Sequence, residues 1–220
     1  MDNLFKLSIL IFVSYFFGAI PTGFLVGKIF FKKDIRQEGS KNTGATNVFR
    51  VFGPLPGITV LIIDVLKGFL PVFFIPDMLF PLGTLGTPVL AGLACVAGHN
   101  WTVFLDFKGG KGVATSLGVF LALAPLQTVL AAAVFAAVLG VSGYVSLGSM
   151  TAGVALSVFL WMSSAVPAIK LAGTTVIRIA DVRPEIKIIG TIIALLVFYT
   201  HRANIKRLME GNENRLWRKK

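Results

Sequence analysis

Residues 4–31, LFKLSILIFVSYFFGAIPTGFLVGKIFF, decide the fold class. Lys6 stands near the start of the run, and Gly18-Ala19-Ile20-Pro21 marks a kink within it. The run is longer than the ~20 apolar residues that cross a bilayer. A cleaved signal would need a basic start, a short apolar region and a small-x-small site. Here the start is Met1-Asp2-Asn3 and no such site follows, so the segment is expected to be retained as a span. Basic residues follow it rather than precede it, which places the N-terminus outside.

The rest of the composition agrees. Of 220 residues, 55% are hydrophobic and 14% charged, with mean hydropathy +0.81. A soluble domain carries about 25% charged and 45–50% apolar residues, so a water-soluble fold is excluded. The apolar content excludes disorder too. Lys and Arg number 21 against 10 Asp and Glu, a net charge of +11. Fifteen of the 21 lie in three places: Lys28 to Arg50, Lys108 with Lys111, and Arg202 to Lys220. Each cluster adjoins an apolar span, and none belongs to a domain able to grip a duplex. No nucleic-acid partner is expected. The clusters mark cytoplasmic loops, with membrane lipids and an anionic substrate as partners. The single Cys95, in an apolar stretch, reads as a packing residue.

Further spans are expected over Leu55–Ile75, about Leu85–Leu105, Leu147–Pro167 and Ile186–Tyr199, with two apolar pieces, Val113–Leu123 and Leu126–Leu139, divided at Pro125. The first of those pieces is too short to cross a bilayer. About seven crossings from an outside N-terminus put the C-terminal tail and all three basic clusters on the cytoplasmic side. The expectation is therefore one all-α, multi-pass domain over residues 1–220, with short or broken helices near the active site. Lys170–Lys187 holds four basic residues on the outer side, so an interfacial helix is expected there. No internal repeat supports an inverted-repeat transporter.

Three polar segments carry the chemistry. In Gly39-Ser40-Lys41-Asn42-Thr43-Gly44-Ala45-Thr46-Asn47-Val48-Phe49-Arg50, glycines expose backbone N–H groups and Ser, Thr and Asn add donors. A helix capped by Thr46 or Asn47 would present its N-terminus to an anion, with Arg50 one turn past Thr46. An ordinary turn-rich loop is the alternative. In His99-Asn100 and Lys108-Gly109-Gly110-Lys111-Gly112 through Thr115, a Lys/Gly loop opens a hydrophobic helix. That supplies free amides, point charges and a helix dipole for phosphate. It is not a nucleotide P-loop: Leu105 and Gly112 stand where Gly and Ser/Thr are needed. In the tail, His201 and Asn204 share a helical face and Arg202 lies on another. His201 is a candidate base; a basic tail lying on anionic lipid is the alternative. Asp64 and Lys67, three residues apart within a span, are expected to pair, either as architecture or as part of the catalytic machinery. There is no nucleophile elbow and no metal-ligand cluster, so neither metal nor cofactor is expected. Neither histidine is followed, after four intervening residues, by Asp: Phe104 and Lys206 stand there.

GSKNTGATNVFR, DVLKG at Asp64–Gly68, FKGGKGVATSLG and HRANIKRL, in that order over nearly the whole chain, resemble the bacterial acyl-phosphate glycerol-3-phosphate acyltransferases, the PlsY family. Lys41 and Thr43, where Gly and often Pro are expected, and Trp101-Thr102, in place of Phe-Pro, depart from its pattern. The resemblance implies a bacterial inner-membrane enzyme of seven transmembrane helices. It would move an acyl chain from acyl phosphate to the 1-hydroxyl of glycerol 3-phosphate, giving lysophosphatidic acid and phosphate. Ser40, Arg50, Lys111, His201 and Asn204 are then expected in catalysis. Gly39, Asn42, Gly44, Thr46, Asn47, His99, Lys108, Gly109, Gly110, Gly112 and Thr115 are expected to bind substrate, with Asp64, Lys67 and Arg202 supporting them. A monomer is expected. An organic-anion transporter and a lipid-binding scaffold are the rivals; a transporter should carry more mid-span polar residues than Asp64 and Lys67.

Overall fold

The computed structural model describes residues 2–81, 86–163, 169–171, 174–177 and 182–217. The chain divides into two compact units, Met1–Leu123 and Ala124–Lys220.

In the first unit, α1 (Asn3–Ala19) and α2 (Thr22–Phe30) meet at a 42° bend. Pro21 causes it, since its ring has no N–H to give and clashes with the preceding turn. α3 (Ala45–Phe52) ends at Gly53, whose φ of +97° turns the chain into α4 (Pro54–Leu79). α4 runs through Pro71 and Pro76, four residues beyond the expected end at Ile75. Prolines are tolerated inside membrane helices, where neighbouring groups satisfy the freed carbonyls. α5 (Thr87–Asn100) leads through a 3-10 turn at Val103–Leu105 to α6 (Val113–Leu123), the short apolar helix expected.

Small residues set the packing of this unit. A Cβ on Gly18 of α1 would stand 2.0 Å from the Cys95 carbonyl oxygen of α5, and one on Gly98 of α5 would stand 2.1 Å from that of Tyr15. α4 and α6 approach in the same reciprocal way, Gly68 against Thr115 and Gly118 against Val65. Lipid supplies no hydrophobic push between helices, so close backbone approach of this kind is what joins them.

In the second unit, α7 (Pro125–Ser142) turns at Gly143 into α8 (Val145–Met162), and α9 (Pro184–Thr200) meets α10 (Arg202–Met209) at a 58° bend. The end of the expected span at Pro167 lies outside the described residues. Among the described residues of Lys170–Lys187, 170–171 and 174–177 are strand rather than the expected interfacial helix. β1 (Ile169–Leu171) pairs antiparallel with β2 (Thr174–Ile177), and α9 begins at Pro184, a residue preset for a first turn. Arg178 and Asp181 lie outside the described residues. Apart from that ribbon, the regular structure among the described residues is all helical.

Among the described residues, four helical segments are long and apolar enough to cross a membrane, or six when each bent pair counts as one. Their outer faces carry exposed Phe12, Ile62, Phe73, Val158 and Leu195, side chains that a water-soluble fold would bury.

Candidate functional site

The loop Glu38–Gly44 is shaped by one buried side chain. Asn47, 1% exposed, accepts from the Ser40 N–H at 2.8 Å and donates to the carbonyls of Ile35, Glu38 and Asn42 at 3.3, 3.0 and 2.9 Å. The single N–H and three carbonyls fix the orientation of its amide. Asn47 is therefore the post around which the loop winds rather than an open donor. Gly39, at φ +55°, passes so close that a Cβ there would stand 2.4 Å from Asn47 Oδ1. Asn42 accepts from the Gly44 N–H at 2.9 Å, closing a turn of the kind Asn favours. Gly44 caps α3 with no side-chain bond, so the expected capping by Thr46 or Asn47 is not found. The loop's approach is braced by Arg36, which donates twice to Asp34 and lies over the Phe24 ring. Those bonds hold the Asp34 carboxyl down at about 2. Ser40 is exposed; Thr46 and Arg50 are half-buried.

The second loop folds back on the end of α5. Gly109 N–H donates to the Asn100 carbonyl and Gly110 N–H to that of His99, both at 3.0 Å. Two of the amides expected to be free for phosphate are thus spent within the protein. The glycines have another reason to be there. A Cβ on Gly109 would stand 2.0 Å from the His99 carbonyl oxygen, and one on Gly110 2.1 Å from His99 Nε2. Gly112 takes φ +79° beside the Asn100 amide. Lys108 is exposed and Lys111 half-buried, so the loop's charge stands at its rim. Thr115 is fully buried, its carbonyl packed on Gly68.

Both loops reach a buried polar cluster. Lys67 Nζ lies 2.8 Å from Asp64 Oδ1, with side-chain exposures of 5% and 3%, so the expected pair forms. Thr22 donates to Asp64 at 3.0 Å, and His99 Nδ1 lies 4.0 Å from the same oxygen. A cavity here is lined by Thr22, Thr43, Asp64, Lys67, His99, Thr102 and Gly109 among others. Its volume of about 10 Å³ has room for about one water. Thr22 and Thr102 were not singled out in the sequence. The signal was a hydroxyl beside each break in an apolar run.

The tail residues belong to the second unit. His201 sits at the α9–α10 bend, 3% exposed, its Nδ1 2.8 Å from the Val197 carbonyl oxygen. A neutral ring in that contact carries its proton on Nδ1 and its lone pair on Nε2. Asn204 donates to Glu213 at 2.7 Å. Glu213 also accepts from Ser146 at 3.0 Å and from Arg207 at 2.8 Å. Burial raises the Glu213 carboxyl, but hydrogen bonds from Asn204, Arg207 and Ser146 outweigh it and hold it below the ordinary carboxylate range. Arg202 instead packs on Tyr199, over its ring and onto its carbonyl.

The fold is that of a polytopic helical membrane protein, and its first unit carries two glycine-rich, basic loops joined at a buried ion pair. Residues 8–211 match the family described as glycerol-3-phosphate acyltransferase. The chain belongs to that family. It is 43% identical over 208 residues to the glycerol-3-phosphate acyltransferase of Maridesulfovibrio salexigens, covering 94% of this chain and 95% of that one. To the enzyme of the same name from Fusobacterium nucleatum it is 41% identical over 205 residues, covering 93% and 95%. It is also similar to the crystal structure of PlsY (YgiH), an integral membrane glycerol 3-phosphate acyltransferase, in its glycerol 3-phosphate form. That TM-score is 0.81 at 35% identity, covering 95% of this chain and 94% of that one. Against the lysophosphatidic acid form of the same protein the TM-score is 0.78.

Proposed function

We propose that this glycerol-3-phosphate acyltransferase takes its acyl chain from acyl phosphate and yields lysophosphatidic acid and inorganic phosphate. The observation that carries the reading is the meeting of two basic, glycine-rich loops at one buried cluster in a membrane unit. A reaction between two phosphates, one soluble and one tailed with lipid, calls for that chemistry at a membrane surface. The solved relative has a glycerol 3-phosphate form and a lysophosphatidic acid form, which supports the substrate and product assigned to this chain.

The glycerol 1-hydroxyl oxygen attacks the acyl carbonyl carbon. A carbon–oxygen ester bond forms, the acyl–phosphate bond breaks, and phosphate leaves with its electron pair. Acyl phosphate is already activated, so the protein supplies orientation and charge neutralisation rather than a covalent acyl-enzyme. Ser40, Thr46, Arg50, Lys108 and Lys111 are assigned to the two phosphoryl groups. Arg50 matters most, as a planar two-pronged donor where Lys is a point charge. His201 and Asn204 handle or position the reacting hydroxyl and its proton. The family match from 8 to 211 runs through both units, which supports one functional domain. The distribution of Lys and Arg supports a bacterial cytoplasmic membrane protein with its N-terminus outside and its C-terminus inside. A single copy carries all the assigned residues.

Purified protein in detergent, given glycerol 3-phosphate and either acyl phosphate or acyl-CoA, tests the donor. Lysophosphatidic acid should form with acyl phosphate and at most slowly with acyl-CoA; equal rates defeat the assignment. Arg50→Lys should stay folded and lose most turnover.

A further inference from the structure

The bend between α1 and α2 creates a problem of helix ends. The last carbonyls of one helix and the first N–H groups of the next have no partner within their own helices. Lys67 Nζ donates to the Ile20 carbonyl at 2.9 Å, at the negative end of α1. Asp64 accepts from the Thr22 hydroxyl at 3.0 Å, at the positive end of α2. Each charge thus has the sign that the helix end beside it favours. Their mutual contact of 2.8 Å completes a bridge across the break.

Both loops pack against the helix ends that this bridge joins. Thr102, which opens the second loop, donates to the Ala19 carbonyl at 2.6 Å, and Tyr15 donates to that of Trp101 at 2.7 Å. The end of α5 and the glycines folded back on it are therefore tied to the end of α1. The first loop arrives from the other side: the Thr43 carbonyl lies against Gly23, 2.0 Å from where a Cβ would stand. A buried ion pair is weak evidence of stability, because apolar residues of equal volume often hold a fold as well. This one lines the cavity where residues of two loops far apart in sequence meet.

We propose that Asp64 and Lys67 are positioning residues for acyl transfer, holding the two glycine-rich loops at the spacing that binds glycerol 3-phosphate. They act through the α1–α2 break and through Thr22, and touch no reacting atom. The proposal rests on the reading that these loops bind phosphoryl groups.

The test uses the full chain in detergent, with Thr22→Val, Thr22→Ser and the neutral double variant Asp64→Asn/Lys67→Met. Three quantities are read: melting temperature, the glycerol 3-phosphate dissociation constant by calorimetry without acyl donor, and KM and kcat. Thr22→Val should stay folded, with a melting temperature lower by a few degrees at most, and bind glycerol 3-phosphate about fivefold more weakly, the scale of one lost buried hydrogen bond. KM should rise in step while kcat changes less, and Thr22→Ser should restore both. The double variant should weaken binding at least about tenfold, since both helix ends lose their charged partner. If it does not fold, the Thr22 pair decides. Wild-type binding in folded Thr22→Val, or a defect that Ser does not restore, overturns the proposal and leaves the pair as scaffold. Wild-type protein that binds no glycerol 3-phosphate removes the loop assignment and the proposal with it. Wild-type protein that binds it but is inactive with acyl phosphate defeats only the donor assignment.

Discussion

The glycine loops of the first unit and the tail of the second are held in place by different means. In the loops the backbone does the holding: Gly109 and Gly110 bond to carbonyls of α5, and Asn47 serves one N–H and three carbonyls. In the tail a single carboxylate does it, as Glu213 gathers Ser146, Asn204 and Arg207. The first arrangement is steric, and the hydrogen bonds named for it run between amides and carbonyls, which do not titrate. The second is electrostatic and should respond to acid. The largest effect is therefore expected from one methyl group in the loop. Gly109→Ala places a Cβ against the His99 backbone, which cannot rotate away as a side-chain tip would. The loop must shift by about 1 Å, enough to cost on the order of 100-fold in turnover. Steady-state rates across pH should show a uniform loss; a mutant within a few fold of wild type would mean the glycine packing is slack.

The tail should give a smaller effect with a pH signature. Glu213 has a folded-state pKa below its ordinary value of 4.5, so its stabilising contribution is complete above that value. It is lost as pH falls through the lowered folded value. Thermal unfolding of the wild type should thus show no Glu213 effect between neutral pH and about pH 5, then a decline in stronger acid. Glu213→Gln replaces one acceptor oxygen by a donor and removes the charge facing Arg207. About 1.5–3 kcal/mol of stability should go, the scale of a hydrogen bond to a charged group. The mutant's melting temperature should be lower at neutral pH and its acid decline shallower. An unchanged neutral melting temperature would show that Asn204 is held by something else.

The contrast also explains what was legible in the sequence. Apolar runs and prolines fixed the helices closely: Pro21 marked the bend and Pro125 the start of α7, and Val113–Leu123 came out as read. Pro76 misled, because a membrane helix can carry proline within it. Two strands of three and four residues in a mixed polar segment left no periodicity to read. The loop residues were recognisable as a set, but not their division of labour. Asn47 looked like a donor for substrate, and only the fold shows its amide turned inward. In the tail, Glu213 stood more than two helical turns from His201 along a straight helix. Gly211, at φ +72°, reverses the chain and brings Glu213 back to Asn204.

The same tail poses the smallest effect and the finest question, which group takes the hydroxyl proton. The sequence offered no carboxylate to orient His201, and Glu213 is spent on Asn204; the Val197 carbonyl fills that role at 2.8 Å. With Nδ1 donating there, Nε2 of a neutral ring is the nitrogen with acceptor character. An acceptor can remove the proton or merely aim it. The alternative base is the phosphate of glycerol 3-phosphate itself, whose second pKa lies near 6. A Gln oxygen can stand in for an aiming acceptor but not for a base, and Ala can do neither. Rates of His201→Gln and His201→Ala, followed from about pH 5.5 to 8.5, bracket both reference values. Glu213 adds nothing in that window, since its carboxyl titrates below it. If His201 is the base, both variants should lose about 10²–10⁴-fold and the rising limb near pH 6–7 should vanish. The expected outcome is the other one: Gln keeps a measurable part of the activity, Ala falls further, and the limb persists because the substrate's phosphate still titrates.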